Sequence, residues 1–338
     1  MENIKKYSGQ ILFASMGMFI IDEIHFKDDK VLYNVIGGAG TFAAYGARYF
    51  LPAPASKSVG WIVDAGSDFP LELKEQLFKL DTTMIFREDK TRLTTRGWNG
   101  YGENEFRQFR YQTEKKRITI EDMINSPLLG SRTFHLICSP GRASNLVTSL
   151  AEERHKRDPD LPEPIIVWEP VPDNCTPEHL QACYAILPQI DILSPNVAEA
   201  AAFFGLHEPS DPAQIEQIGS RFLKRMRKDA AVIIRAGEMG CLVLSNVSGT
   251  TWLQSYHKGC PEKVVDPTGA GNAFVGAMCI GYILSEKSHI EAAIYGNIAA
   301  SLSIEQVGVA EFSRDAHGEL WNGSTVSDRL AQYRARLA

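Results

Sequence analysis

The sequence lacks the marks of several protein classes. Its six cysteines, Cys138, Cys175, Cys183, Cys241, Cys260 and Cys279, are scattered, and none forms a Cys-x-x-Cys pair. No disulfide framework or thiolate metal site is expected, and the thiols read as reduced and partly buried. The eight histidines show no metal-ligand spacing. No apolar run approaches the roughly 18–20 residues of a membrane span. The apolar stretch from Ile11 to Ile21 is broken by Gly17, followed by Asp22 and Glu23, and lacks a small-residue cleavage site. It reads as a buried strand and not as a secretory signal. Positive charge is not in excess: 35 basic residues face 41 acidic ones, for a net charge of −6. That excludes a nucleic-acid binder working by phosphate neutralisation. There is no internal repeat or low-complexity block, and 27 glycines and 17 prolines are ordinary counts that exclude collagen-like and disordered chains. The remaining expectation is a cytoplasmic protein whose partner is a small molecule.

What is present is an alternation of short β-rich runs and helical segments along 338 residues, 44% of them hydrophobic. Strands are expected at Ile11–Phe13, Phe19–Ile21, Ser58–Val63, Thr133–Cys138, Ile165–Trp168, Ile190–Leu193, Ala230–Arg235 and Cys241–Leu244. Helices are expected at Ala39–Tyr49, Leu71–Leu80, Asn145–Lys156, Pro177–Leu187, Asn196–Phe204, Pro212–Arg227, Ala273–Leu284 and Ile290–Gln306. Near-continuous apolar strands such as Pro164-Ile-Ile-Val-Trp indicate a mostly parallel sheet covered on both faces. Thr91–Tyr111 differs, being rich in Thr, Arg and aromatics, and reads as a β-ribbon. The architecture expected is one three-layer α/β domain over residues 1–338, with a β-lid inserted at about 22–36 and 91–113. Arg157–Pro164, with three prolines, is the segment expected to be loosest.

The strongest chemical signal is Val264-Val-Asp-Pro-Thr-Gly-Ala-Gly-Asn-Ala-Phe-Val-Gly-Ala-Met278. A strand leads into a Gly-Ala-Gly turn and then a helix of small residues. Backbone N–H groups aimed from such a helix N-terminus make an anion site, and small residues let a phosphate come close. The run resembles the C-terminal signature of the PfkB, or ribokinase-like, carbohydrate and nucleoside kinases. Four further stretches agree in order: Met16-Gly-Met-Phe-Ile-Ile-Asp22, Gly37-Gly-Ala-Gly40, Ser194-Pro-Asn-Val-Ala-Glu199 and Arg235-Ala-Gly-Glu-Met-Gly240. The Pro-Thr-Gly-Ala-Gly-Asn form of the signature and the stretch Trp98-Asn-Gly-Tyr-Gly-Glu-Asn-Glu resemble a fungal branch, the maintenance-of-killer type.

The resemblance implies a ribokinase-like fold and ATP-dependent phosphoryl transfer to a hydroxyl of a sugar or nucleoside. It implies that Gly269, Ala270 and Gly271 form the anion hole and that Asp22, Gly37 and Gly38 hold the acceptor. Asn196, Gly237, Gly240, Thr268 and Asn297 would contact the nucleotide. Glu199 would organise Mg2+, and K+ would sit near Asp266 and Thr268. Relatives of this type pair their lids, so a homodimer through Trp98, Tyr101, Phe106, Phe109 and Tyr111 is expected. Two departures stand out. Asn272 occupies the place of the general base, and an amide cannot accept a proton at neutral pH. Phe42 stands where the family has a sugar-binding Asn, so an aromatic wall facing a partly apolar substrate is expected.

Three other readings stay open. The fold could serve a catalytically impaired pseudokinase, or an enzyme of secondary metabolism repurposed to an anionic substrate held by Arg96, Arg107 or Arg110. Gly38-Ala-Gly-Thr-Phe-Ala43, with Asp64 about 20 residues on, mimics a dinucleotide fingerprint and would suit an NAD-dependent oxidoreductase.

Overall fold

Along Ile165–Pro170 the side chains part to opposite sides: Ile165 and Val167 join one apolar cluster, Ile166 and Trp168 another. This period-two alternation, apolar both ways, requires a sheet with a packed layer on each face. The computed structural model of the chain describes residues 5–101, 107–316 and 318–337. Its strands are β1 (Phe13–Ser15), β2 (Ile20–His25), β3 (Val31–Gly37), β4 (Val59–Ala65), β5 (Thr83–Glu88), β6 (Arg96–Tyr101), β7 (Arg107–Tyr111), β8 (Thr133–Cys138), β9 (Ile165–Pro170), β10 (Ile192–Leu193), β11 (Ala231–Arg235), β12 (Cys241–Ser245), β13 (Gly249–Leu253), β14 (Phe312–Asp315) and β15 (Gly318–Trp321). The α-helices are α1 (Ala39–Tyr49), α2 (Leu71–Phe78), α3 (Pro140–Arg157), α4 (Leu180–Ile186), α5 (Val197–Ala202), α6 (Pro212–Leu223), α7 (Ala270–Leu284), α8 (His289–Ile304) and α9 (Val326–Leu337).

Nine strands form the central sheet in the order β13-β12-β11-β10-β9-β8-β1-β4-β5. The pairings from β11 to β5 are parallel, and β12 and β13 add an antiparallel edge. The chain fills one side of β1 with β4 and β5, then returns to β8 and fills the other. The order therefore reverses between β1 and β8, and in open α/β sheets ligands sit at the carboxyl ends of the strands beside such a reversal. A separate four-stranded sheet, β3-β2-β6-β7, forms the excursion expected as a lid; its strands begin two residues earlier than expected, at Ile20. Of the aromatics assigned to it, Phe106 and the side chain of Tyr101 lie outside the described residues.

Helix α3 starts earlier than its apolar spacing suggests. Ser139 caps it, its side chain accepting from the Arg142 N–H, and Pro140 takes the first helical position, where its missing N–H costs nothing. The loop 158–164 is tied down, since Arg154 Nη2 donates to the Pro162 carbonyl at 2.6 Å. The strands β5 and β13, the hairpin β14–β15 and helix α9 have no counterpart in the expected pattern. No helix of the described residues is long and apolar enough to cross a membrane. Five of the six thiols are buried, and burial pushes those of Cys138, Cys183, Cys241 and Cys279 up to about 12, far from reactive thiolates.

Helix α9 is anchored by charge. Arg329, buried on α9, donates to both oxygens of Glu305 at 2.5 and 2.9 Å; Asn322 and His257 reach the same carboxylate at 2.8 Å. Burial raises the Glu305 pKa, but these partners outweigh it and bring it down to about 2. A depressed carboxylate stabilises the fold above its unfolded pKa, near 4.5, and that stability is lost as pH falls through about 2. Glu305→Gln is expected to cost about 2 kcal/mol at neutral pH. In thermal melts its deficit against the native chain should shrink below about pH 4.5; a deficit constant from neutral to strongly acid pH contradicts this.

Candidate active site

Polar residues gather where the apolar parallel strands end. Ser15 closes β1, and its Oγ stands 3.2 Å from Nδ1 of His135 on β8, its partner in register. His135 Nε2 lies 3.0 Å from Glu169 Oε2 on β9. Asn272 Nδ2, in the first turn of α7, donates to the same oxygen at 2.9 Å. Arg235, ending β11, approaches Glu169 Oε1 with Nη1 at 2.9 Å. Its Nη2 donates to Glu199 Oε2 at 3.2 Å and to the Ser194 carbonyl at 3.1 Å. Four strands, Ser194 just past β10 and the first turns of α5 and α7 thus deliver one continuous network.

The two carboxylates differ electrically. Burial raises the pKa of Glu169, only 3% exposed, but Arg235, His135 and Asn272 outweigh that and hold it below the usual range. Glu169 is therefore a buried anion. For Glu199, burial prevails over Arg235 and pushes the carboxyl up to about 7. Glu199 also closes a capping box: its Oε2 accepts from the Asn196 N–H at 2.8 Å, and its own N–H donates to Asn196 Oδ1 at 2.7 Å.

Two glycines show how tightly the turn is drawn. Gly269 caps α7 at φ +78°, and a Cβ there would stand 2.3 Å from the Phe42 ring on α1. The first turns of α1 and α7 therefore meet, and the positive ends of both helices converge. At Gly271 a Cβ would stand 1.9 Å from Arg235 Nη1, so the absence of a side chain lets the guanidinium lie against the start of α7.

The expected site residues divide accordingly. Gly269, Ala270, Gly271, Asn272, Asn196 and Glu199 come together around Arg235. Asp22 and Gly37 meet in the small sheet: Asp22 is 5% exposed, and a Cβ on Gly37 would lie 2.0 Å from its Oδ2. Gly38 caps α1. Gly237 and Gly240 bound the exposed turn after Arg235. The Thr268 N–H donates to Asp266 Oδ1 at 2.9 Å. Two expectations are corrected. Phe42, 2% exposed, packs beneath Gly269 and is not a wall facing substrate. Asn297, 5% exposed, spends its amide on Tyr333 Oη at 2.8 Å and Cys241 Sγ at 3.4 Å, which ties α8 to α9 and keeps it from a base.

Ion pairs also absorb other candidates. Asp64 is gripped by Arg87 at 2.7 and 2.8 Å, with Lys116 at 3.3 Å, which removes the ribose anchor from the dinucleotide reading. Arg96 is held by Asp68 at 2.5 Å, and Arg110 stacks over Trp98 at 4.5 Å. The side chain of Arg107 lies outside the described residues. Glu169 was missed by sequence reasoning, although a carboxylate closing an apolar parallel strand is itself a signal. Toward Mg2+ the chain offers the single carboxylate of Glu199, whose Oε2 is already taken by the Arg235 guanidinium and the Asn196 N–H. No group of three His, Cys, Asp or Glu among the described residues could hold a metal without a ligand.

A sheet reversing at β1/β8, a lid sheet and a Gly-Ala-Gly turn opening a helix define a ribokinase-like protein. The chain belongs to the pfkB family of carbohydrate kinases, whose family model matches residues 34–316. It is 37% identical to the protein MAK32 of Saccharomyces cerevisiae over 95% of this chain and 92% of that one. The ribokinase of Giardia lamblia superposes with a TM-score of 0.71 at 15% identity, covering 97% of this chain and all of that one. The Arabidopsis thaliana ribokinase, solved with ribose and ATP, gives 0.63 at 18% identity over 89% and 94%.

Proposed function

We propose that this protein binds ATP at the start of α7 and transfers its γ-phosphoryl group to a hydroxyl of a sugar or nucleoside held beneath the small sheet by Asp22. The observation that carries this reading is the convergence of the Gly269–Gly271 turn, the Arg235 guanidinium and the start of α1 at the sheet's reversal point. Orphan N–H groups at a helix start, beside a guanidinium, stabilise charge on a transferring phosphoryl group. The acceptor oxygen bonds to phosphorus as the bond to the leaving ADP oxygen breaks. Asn272 cannot take the hydroxyl proton, so it leaves on a phosphoryl oxygen and passes to water. Positioning and electrostatics dominate such transfer, and the missing base lowers the rate by roughly 10²–10⁴-fold without abolishing it.

K+ keeps its expected place beside Asp266 and Thr268 in this reading, while the Glu199 Oε2 expected to organise Mg2+ meets Arg235. Exposed Tyr33 and Phe109 on the small sheet would serve a second copy. The test is calorimetry with ATP, followed by ADP release assayed across sugars and nucleosides. ATP binding with slow, acceptor-dependent ADP release supports the reading. Binding without release under any acceptor favours the pseudokinase, for which Asn272 is the motivating residue. Absence of binding removes the nucleotide altogether.

A further inference from the structure

We infer that Arg235 is a resident cation standing in for a divalent metal, so that the site takes a nucleotide polyphosphate without metal held by the protein. The inference rests on the nucleotide reading above and adds to it how the phosphate charge is met. Glu169 and Glu199 flank the start of α7, and one guanidinium bridges them at 2.9 and 3.2 Å. Bridging two carboxylates beside a phosphate turn is work otherwise suited to a dication. Here the side chain is locked in place. Gly271 lets it press on the helix start, the Ser194 carbonyl takes one of its protons, and the Asn196–Glu199 capping box fixes the far carboxylate.

A dication on Glu199 would have to displace Nη2 or sit against it, and like charges at that separation repel. The guanidinium has a donor to spare. Of its five N–H groups, three have partners among the described residues, Nε is buried and closed to a ligand, and the second N–H of Nη1 is left. A fixed cation with an unspent donor at a helix N-terminus suits a phosphate oxygen.

The test is calorimetric titration of the full chain with ATP, once in excess magnesium chloride and once in excess EDTA. Affinities within about threefold of each other support the inference. Binding only with magnesium overturns it and leaves the nucleotide reading intact. No binding in either buffer overturns the nucleotide reading, and the inference falls with it. Arg235→Lys keeps the charge but loses the fork; with its fold checked by circular dichroism, it is expected to bind ATP in EDTA about tenfold more weakly. Undiminished binding by that variant removes Arg235 from the role.

Discussion

Asn272→Asp is expected to destabilise the protein before it does anything to catalysis. The amide that now donates to Glu169 Oε2 at 2.9 Å becomes a carboxylate facing a buried anion. Two carboxyl groups at that distance cannot both ionise, so the pair must share a proton. The lost hydrogen bond and the forced protonation together cost about 2–4 kcal/mol at neutral pH. The sign of the pH dependence follows. The pair's folded pKa is raised above the unfolded values near 4, so the variant is least impaired below about pH 4 and loses ground as pH rises. Denaturant melts at mildly acid and mildly alkaline pH give the measurement. A variant as stable as the native chain in alkali would show that Glu169 is not an anion accepting from Asn272.

Adding Glu169→Gln to that variant exchanges donor and acceptor. The carboxamide oxygen can accept from Arg235, and its NH2 can donate to Asp at 272. His135 can turn its neutral nitrogen toward the new amide and still meet Ser15. Most of the stability should return, now with a carboxylate where the family places its base. Under the kinase reading, acceptor-dependent ADP release should then rise by about 10²–10⁴-fold over the native chain. A stable double variant that binds ATP but gains no rate counts against Asn272 as the missing base.

Most of the sheet was legible because each buried strand carries its own evidence. Thr133–Cys138 and Ala39–Tyr49 appear with the bounds expected, since apolar runs and a glycine turn are local signals. The elements missed have weak local patterns. β5 and β13 are partly exposed, and α9, whose last turn is arginine-rich, is held by Asn297 on α8 and by Glu305 just past its end. The glycine turn and the capping pair of the site could be read from spacing. Their electrical partners could not, because Glu169 meets Asn272 across 103 positions and Arg235 meets Glu199 across 36. Phe42 and Asn297 were misplaced for the same reason. A position matched to a motif says nothing of a ring packed against Gly269, or of Tyr333 completing an amide.

Removing the guanidinium should show how far the fold depends on it. Arg235→Met keeps an apolar stem but strands Glu169 and Glu199 without their shared cation. Breaking a buried pair by deleting one partner costs about 3–5 kcal/mol, because the remaining charge has nowhere to go. Glu169 should carry most of that loss, since it is held as an anion while Glu199, pushed up to about 7, already binds a proton part of the time. With Arg235 gone, only His135 and Asn272 still oppose burial, and the folded pKa of Glu169 rises. The deficit is then small near and below the unfolded value of about 4.5 and widens as pH rises. Neutralising the cluster separates charge from shape. Arg235→Met combined with Glu169→Gln and Glu199→Gln should recover most of the lost stability and flatten the pH dependence, as uncharged replacements of buried ion pairs do elsewhere. If the triple variant stays as unstable as Arg235→Met at every pH, the guanidinium acts through packing and hydrogen-bond geometry, and its charge is secondary.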